Sequence, residues 1–420
     1  MRWRVLSFVL KKMNPTSLAT GARAPGQAAS WGAVLAMSLG AFVLVASEFM
    51  PVSLLTPIAA DLHITEGQAG QAIAISGAFA LLTSLFISAV AGSMDRKRLL
   101  LSMSLLMMVS GTVVAFAPNY LIFMAGRALI GVAIGGFWSM SAATAMRLVP
   151  ADQVPRALAI LNGGNALATV VAAPLGSFLG AVIGWRGAFF CVVPMAALAF
   201  AWKFASLPSM RSEQRGGAGN VFSLLKRPVV ALGMVAVSLF FMGQFALFTY
   251  LRPFLETVTH VNVSSLSLVL LMLGVSGFVG TTLIGRFLGA GLYRTLIVIP
   301  LLMVAIAMAL VAFGSSLPMV AGLLMVWGLV GTSAPVGWWT WLANTLPDDA
   351  EAGGGLIVAV VQLAIMLGAT VGGLVFDASG YRVTFHLSAG ILALAALFAG
   401  LAARSARMAD GVNHQPQRTR

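Results

Sequence analysis

The sequence predicts an all-α polytopic membrane protein of twelve transmembrane helices in two six-helix pseudo-repeats, and three observations predict it. Of the 420 residues, 59% are hydrophobic and 9% charged, whereas a soluble domain carries about 25% charged residues. Apolar runs long enough for a helix to cross ~30 Å of hydrocarbon recur along the whole chain. The runs before and after a central polar stretch repeat one another. Membrane barrels alternate over segments of about ten residues, but these runs are continuous and rich in Leu, Ala, Val, Met and Gly, so the spans are helices.

Residues 1–30 form a basic segment ahead of the first span. Its start, MRWRVLSFVLKK, has an apolar core too short for a signal peptide and reads as a basic surface helix or an upstream start that the working protein lacks. Six spans follow in the first half (31–207), near 31–57, 68–91, 99–117, 119–142, 155–183 and 187–207. The stretch 208–228, PSMRSEQRGGAGNVFSLLKRP, is the one long hydrophilic connection inside the array and reads as a flexible linker. The second half (229–403) holds spans near 229–252, 264–289, 293–314, 317–342, 354–376 and 383–403, and residues 404–420 form a basic tail. Cys191 lies alone in an apolar run and reads as a buried structural thiol.

Charge sets the orientation. With the N-terminus inside, 21 of the 25 Lys and Arg fall on the inner side, including Arg96, Lys97, Arg98, Arg147, Arg156, Lys203, Lys226 and Arg227. Only Arg127, Arg186, Arg252 and Arg382 lie elsewhere. The positive-inside rule therefore places both termini on the cytoplasmic side. The net charge of +13 serves orientation and does not imply nucleic acid, because the basic residues are spread over short loops.

The halves match at nearly constant offset. GWRGAFF from 184 is answered by GYRVTFH from 380, VPAD from 149 by LPDD from 346, and the fourth-span Trp138 by Trp338. Asn165 then falls opposite Gln362. A parallel repeat of this kind puts a solute path between the halves, near the midplane.

Glu48 interrupts a run that is otherwise free of charge, about 17 residues beyond Trp31, in the same layer as Arg127 of the fourth span. Pro51 frees the carbonyl of Ser47 beside it. A charge at the bilayer centre is costly, so neither residue faces lipid. Glu48 is expected to exchange a proton as its surroundings alternate, with Arg127 as counter-charge; the alternative is a fixed pair that only braces two helices. Gly131 and Gly135 allow close helix approach on the fourth span, as do Gly176 and Gly180 beside Pro174 on the fifth. Asn162, Asn165, Gln244 and Gln362 each offer a donor and an acceptor, suited to a neutral, multiply hydrogen-bonding solute. Trp138, Trp338 and Tyr250 are further candidates to line that site, although the GWWTW cluster from 337 also fits an aromatic belt. No metal-ligand spacing or phosphate-cradling loop is present, so the chain reads as no enzyme, without a cofactor, energised by an ion gradient or moving its solute downhill.

AGSMDRKRLLL from 91 resembles the loop signature of the major facilitator superfamily, one residue short because no glycine separates Arg96 from Lys97. The resemblance implies that Gly92, Asp95, Arg96 and Arg98 form a gating loop. It also implies that Arg127, followed by Gly131, is the intramembrane arginine of the fourth helix. TVVAAPLGSFLG from 169 resembles the antiporter signature, with Ala172 and Ala173 where glycines are commoner. EFMPVSLLTPIAADL, GGFWSMSAATAMRLVP, AAPLGSFLGAVIGWR, GQFALFTYLRP and PVGWWTW are similar to the purine ribonucleoside exporters within the drug:H+ antiporter group. That implies an antiporter of the bacterial inner membrane that takes purine nucleosides and their analogues as solutes and is driven by a proton gradient; the chain is expected to act as a monomer. An exporter of sugars or hydrophobic drugs shares every motif, and a non-transporting receptor or channel is the alternative of another class.

Overall fold

The computed structural model describes residues 29–91, 94–210, 221–346 and 350–413. Gly92 of the expected gating loop, residues 211–220 of the linker and the basic N-terminal residues lie outside them. The described segments fold as helices: α1 (Trp31–Leu62), α2 (Glu66–Ala91), α3 (Arg96–Ala115), α4 (Tyr120–Arg147), α5 (Val154–Phe190), α6 (Val192–Ser206), α7 (Pro228–Phe248), α8 (Leu251–Thr257), α9 (Val263–Phe313), α10 (Leu317–Gly331), α11 (Ala334–Thr345) and α12 (Ala350–Asn413).

Among the described residues, nine helical stretches are long and apolar enough to cross a membrane. Three of these, Arg156–Ser206, Val263–Phe313 and Gly353–Met408, run to 51, 51 and 56 residues, more than twice the ~20 that one crossing needs. Each covers two of the apolar segments read from the sequence and carries a glycine with non-helical backbone: Gly184, Gly291 and Gly380. Gly184 (φ 74°) and Gly380 (φ 75°) sit in the left-handed region, which costs glycine nothing and any other residue a Cβ clash. The repeated GWR and GYR motifs are therefore turns. At the first, the Trp185 indole and the Arg186 guanidinium donate to Asp61, and Arg186 also donates to the Ala117 carbonyl at 2.9 Å. Cys191, just beyond that turn, is half-buried.

Two clusters of buried apolar side chains organise the helices. One is built almost wholly from α1–α6, with Tyr250 reaching into it. The other is built from α7–α12 and takes in Val52, Ile73 and Ala74. We call the two groups of helices the first and second bundles. They meet where α2 packs on α12 and α5 on α9. At the end away from Asp95, here the distal end, Gly67 lies against Gly373 and Asp377, Gly70 against Tyr250, and Gly77 against the Gln362 carbonyl. Toward Asp95 the seam loosens: α2 is mostly buried from Ala72 to Ala80, but none of residues 81–86 is buried, and Leu85 and Phe86 are 51% and 58% exposed. Large apolar side chains such as Leu121, Phe178 and Phe287 are exposed too, as a surface facing lipid requires.

Candidate functional site

Pro51 within α1 has no N–H to give the Ser47 carbonyl. Arg127 of α4 takes the vacancy. Its Nη1 donates to Ser47 O at 2.7 Å, Nη2 to Glu48 O at 2.8 Å, Nε to Ala72 O at 3.1 Å, and Nη2 also to Ser76 Oγ at 3.3 Å. The guanidinium is wholly buried, with the Phe189 ring 6.0 Å away. It reaches its position because α4 is smooth where it meets α2: a methyl on Gly131 or Gly135 would collide with the Ser76 or Ala80 carbonyl. Arg127 thus fastens three helices through their backbones.

The Glu48 carboxyl, on a residue only 5% exposed, turns the other way. It feels the charge of Arg127 and lies close to the side chain of Gln362 on α12, in the second bundle. Gln362 is itself 9% exposed, and its Oε1 has no hydrogen-bond partner among the described residues. The same holds for the buried Oε1 of Gln244 on α7, whose Nε2 points toward Gly331. Next in sequence to Glu48 and Gln244 stand Phe49 and Phe245, stacked across the seam with centroids 5.7 Å apart and planes at 28°. Glu48, Gln362 and this aromatic pair form the polar and aromatic centre of the interface, while the Gln244 amide points toward α10.

Other sequence-read residues occupy different surroundings. Asn162 is exposed and donates to Leu158 O of its own helix at 2.9 Å, and Asn165, one turn on, is half-buried. Tyr250 is fully buried, donates to Ala369 O at 2.8 Å and stacks on Phe376 at 5.1 Å. Trp138 is half-buried, edge-on to Phe137. Trp338 packs against Trp341 inside the second bundle, while Trp339 of the same cluster is 48% exposed. On α5, Gly176 and Gly180 lie against Ser53 and Leu54 of α1. Pro174 frees the Val170 carbonyl, and Gly274 of α9 approaches it so closely that an added Cβ would sit 2.7 Å away.

Asp95 caps α3, accepting from Lys97 N at 2.7 Å, while the Ser209 hydroxyl donates to its other oxygen and Arg96 N donates to Met210 O at 2.9 Å. Partial burial raises the carboxyl's pKa, but the Ser209 hydroxyl and backbone N–H groups outweigh it and hold the group below the usual carboxylate range. Arg98 is exposed.

Sequence reading missed three groups. Asp377 of α12 accepts from Thr65 Oγ1 at 2.5 Å and Gly67 N at 2.9 Å, so a carboxylate of the second bundle completes the N-terminus of α2 in the first. Arg252 pairs with Glu256 at 2.8 Å and donates to the Ser53 carbonyl of α1. Lys203, counted from sequence with the interfacial charges, is wholly buried; its Nζ donates to Ser104 Oγ at 2.9 Å and lies over the Phe137 ring at 5.0 Å. Its neighbours lie on other helices, so nothing near it in sequence marks its burial.

The family model described as Major Facilitator Superfamily matches residues 37–353. The chain belongs to the major facilitator superfamily. It is 63% identical over 397 residues to the "Transcription regulatory protein OpdE" of Pseudomonas aeruginosa, covering 94% of this chain and 99% of that one. It is 43% identical over 368 residues to the "Purine ribonucleoside efflux pump NepI" of Salmonella typhimurium, covering 88% and 93%. Among solved structures it resembles a bacterial homologue of the human lysosomal transporter Spinster in an inward-facing, unoccupied conformation (TM-score 0.73, 15% identity, 90% and 97% covered). It also resembles a D-xylose-proton symporter (TM-score 0.73, 15% identity, 89% and 97% covered). Superfamily membership makes this a multi-pass membrane transporter, in agreement with the fold class read from composition and repeat.

Proposed function

We propose that this protein exports purine ribonucleosides such as inosine and guanosine, with their analogues, in exchange for protons, and that Glu48 carries the proton. The observation that supports this best is the position of Glu48: a buried carboxyl on the seam between bundles, beside Gln362 of the opposite bundle. The purine ribonucleoside part rests on the 43% identical relatives that bear that name.

With the termini cytoplasmic, the distal end is the outer one, and the conformation described is closed outside and loosened toward the cytoplasm. From here Glu48 releases its proton inward and a nucleoside enters from the cytoplasm. The bundles then rock: the α2–α12 contacts open, the nucleoside leaves, and Glu48 takes up a proton from outside. Arg127 stays fastened to α1 and α2 throughout and keeps a positive charge near the carboxyl. No separate cofactor is involved; the proton gradient supplies the energy.

Proteoliposomes test this. Wild type should accumulate labelled inosine against its gradient when a pH gradient is imposed. Glu48→Gln should abolish that dependence while retaining downhill exchange, and Glu48→Asp should restore part of it. Unchanged coupling in inserted Glu48→Gln protein would falsify the proton role.

A second reading follows from the 63% identical relative, which is named as a regulator. An exporter that removes an inducing solute changes transcription without touching nucleic acid. A responding reporter gene should then lose its response in Glu48→Gln cells, whereas an equal response to variant and wild type points to signalling without transport.

A further inference from the structure

We infer that Phe49 and Phe245 form the site on which a flat heteroaromatic ring of the solute stacks, the solute ring replacing one phenyl as the bundles part. The inference rests on the nucleoside reading and names the part of the molecule that would be recognised. Phe49 belongs to α1 and Phe245 to α7, so the stack joins the two bundles rather than filling either core. Phe245 is 6% exposed, while Phe49 is only half-buried and leans into the apolar cluster of the opposite bundle.

Each ring is flanked in sequence by a polar side chain that an apolar plug does not need. Glu48 precedes Phe49 and Gln244 precedes Phe245. Two amide oxygens in this region, of Gln244 and of the 91%-buried Gln362, have no hydrogen-bond partner among the described residues. A buried amide oxygen without a donor is costly, and a ligand donor offsets that cost. An apolar ring face and, beside Glu48, an unpaired amide acceptor of Gln362 thus occur on the same seam. A purine nucleoside matches that chemistry, with two flat faces, N–H donors on its rim and hydroxyls on its sugar. A saturated sugar has the hydroxyls but no face to stack, and a hydrophobic dye has the face but fewer donors.

The parting of the bundles separates the two phenyls and leaves two ring faces without a partner. Rings stack well with centroids 4.5–7 Å apart, so a planar solute restores the lost contact on either side. The rings then serve as the outer limit of the cavity when empty and as the recognition surface when loaded.

Transport by Phe49→Leu, Phe245→Leu and the corresponding Tyr variants, normalised to carrier amount, tests this with inosine, ribose and a planar cationic dye as solutes. Leucine keeps apolar bulk and removes the π-face; tyrosine keeps both. The expected result is a rise of about tenfold in the half-saturating inosine concentration for each Leu variant, with turnover at saturation largely kept and Tyr restoring the wild-type value. Half-saturation within twofold of wild type in both Leu variants overturns the inference while leaving nucleoside export standing. Lost turnover at unchanged half-saturation also overturns it, since the pair would then act only as a seal. Wild-type carrier that moves ribose but neither flat solute removes this inference and the nucleoside reading together.

Discussion

At the scale of single residues, Arg127 and Glu48 share a layer yet bind in different directions. The arginine spends its hydrogen bonds on backbone carbonyls of α1 and on α2, and the carboxyl faces α12. Arg127→Met should therefore leave several buried oxygens unpaired and destabilise the protein by about 2 kcal/mol or more, since each orphaned buried acceptor costs ~1–3 kcal/mol. Thermal unfolding in detergent measures this. A stability equal to wild type, with only coupling lost, would show that the arginine acts as a counter-charge alone. Asp95 gives a second prediction. Its native pKa lies below its unfolded value, so the cap contributes above the unfolded pKa, near 4, and the contribution disappears as pH falls through the lower native value. Asp95→Ala should cost about 1 kcal/mol at neutral pH, and the difference from wild type should vanish in strong acid. A gap that persists there places the loss in packing instead.

At the scale of helices, the most legible features were those with local causes. Pro51 freeing Ser47, small residues marking close approach on α4 and α5, and the glycines of GWR and GYR each follow from one residue's covalent structure, and each appears where the sequence placed it. Partners distant along the chain left no such trace. Phe49 and Phe245 meet across 196 positions, and Asp377 meets Thr65 across 312. Lys203 at the end of α6 looked interfacial because its burial comes from Ser104 and Phe137 on other helices. The short α8 after α7 left no trace in hydropathy either, because its seven residues hold two charges and a proline and lie mostly beyond the seventh apolar run.

The N-terminus of α2 carries a prediction at this scale. Thr65 and Gln68 cap each other, with Thr65 N donating to Gln68 Oε1 and Gln68 N to Thr65 Oγ1, both at 3.0 Å, and Asp377 adds a cap from the opposite bundle. Asp377→Ala should weaken closure at the distal end without removing the helix. Cysteine probes near Gly67 should label severalfold faster in the variant, from the side on which that end opens. Equal labelling would mean that the Gly67–Gly373 packing alone holds the seam.

At the scale of the whole molecule, the polar ties between the two bundles among the described residues include Asp377 to α2, Thr370 to Gln71 at 3.1 Å, and Arg252 to the Ser53 carbonyl. The glycines along this seam let backbones approach closely, which makes the contact tight. The two-bundle architecture was legible from repeat offsets and hydropathy; which end is closed was not, because opposite conformations share one sequence and differ by few contacts.

The cap supplied by Asp377 has one more consequence. A helix that borrows its first hydrogen-bond acceptor from the moving partner is complete in only one conformation, so its first turn frays whenever the bundles part. The Gly67 amide thereby becomes a clock for the transport cycle: its deuterium uptake should speed up with each opening, reporting conformational occupancy with no label attached and no solute present.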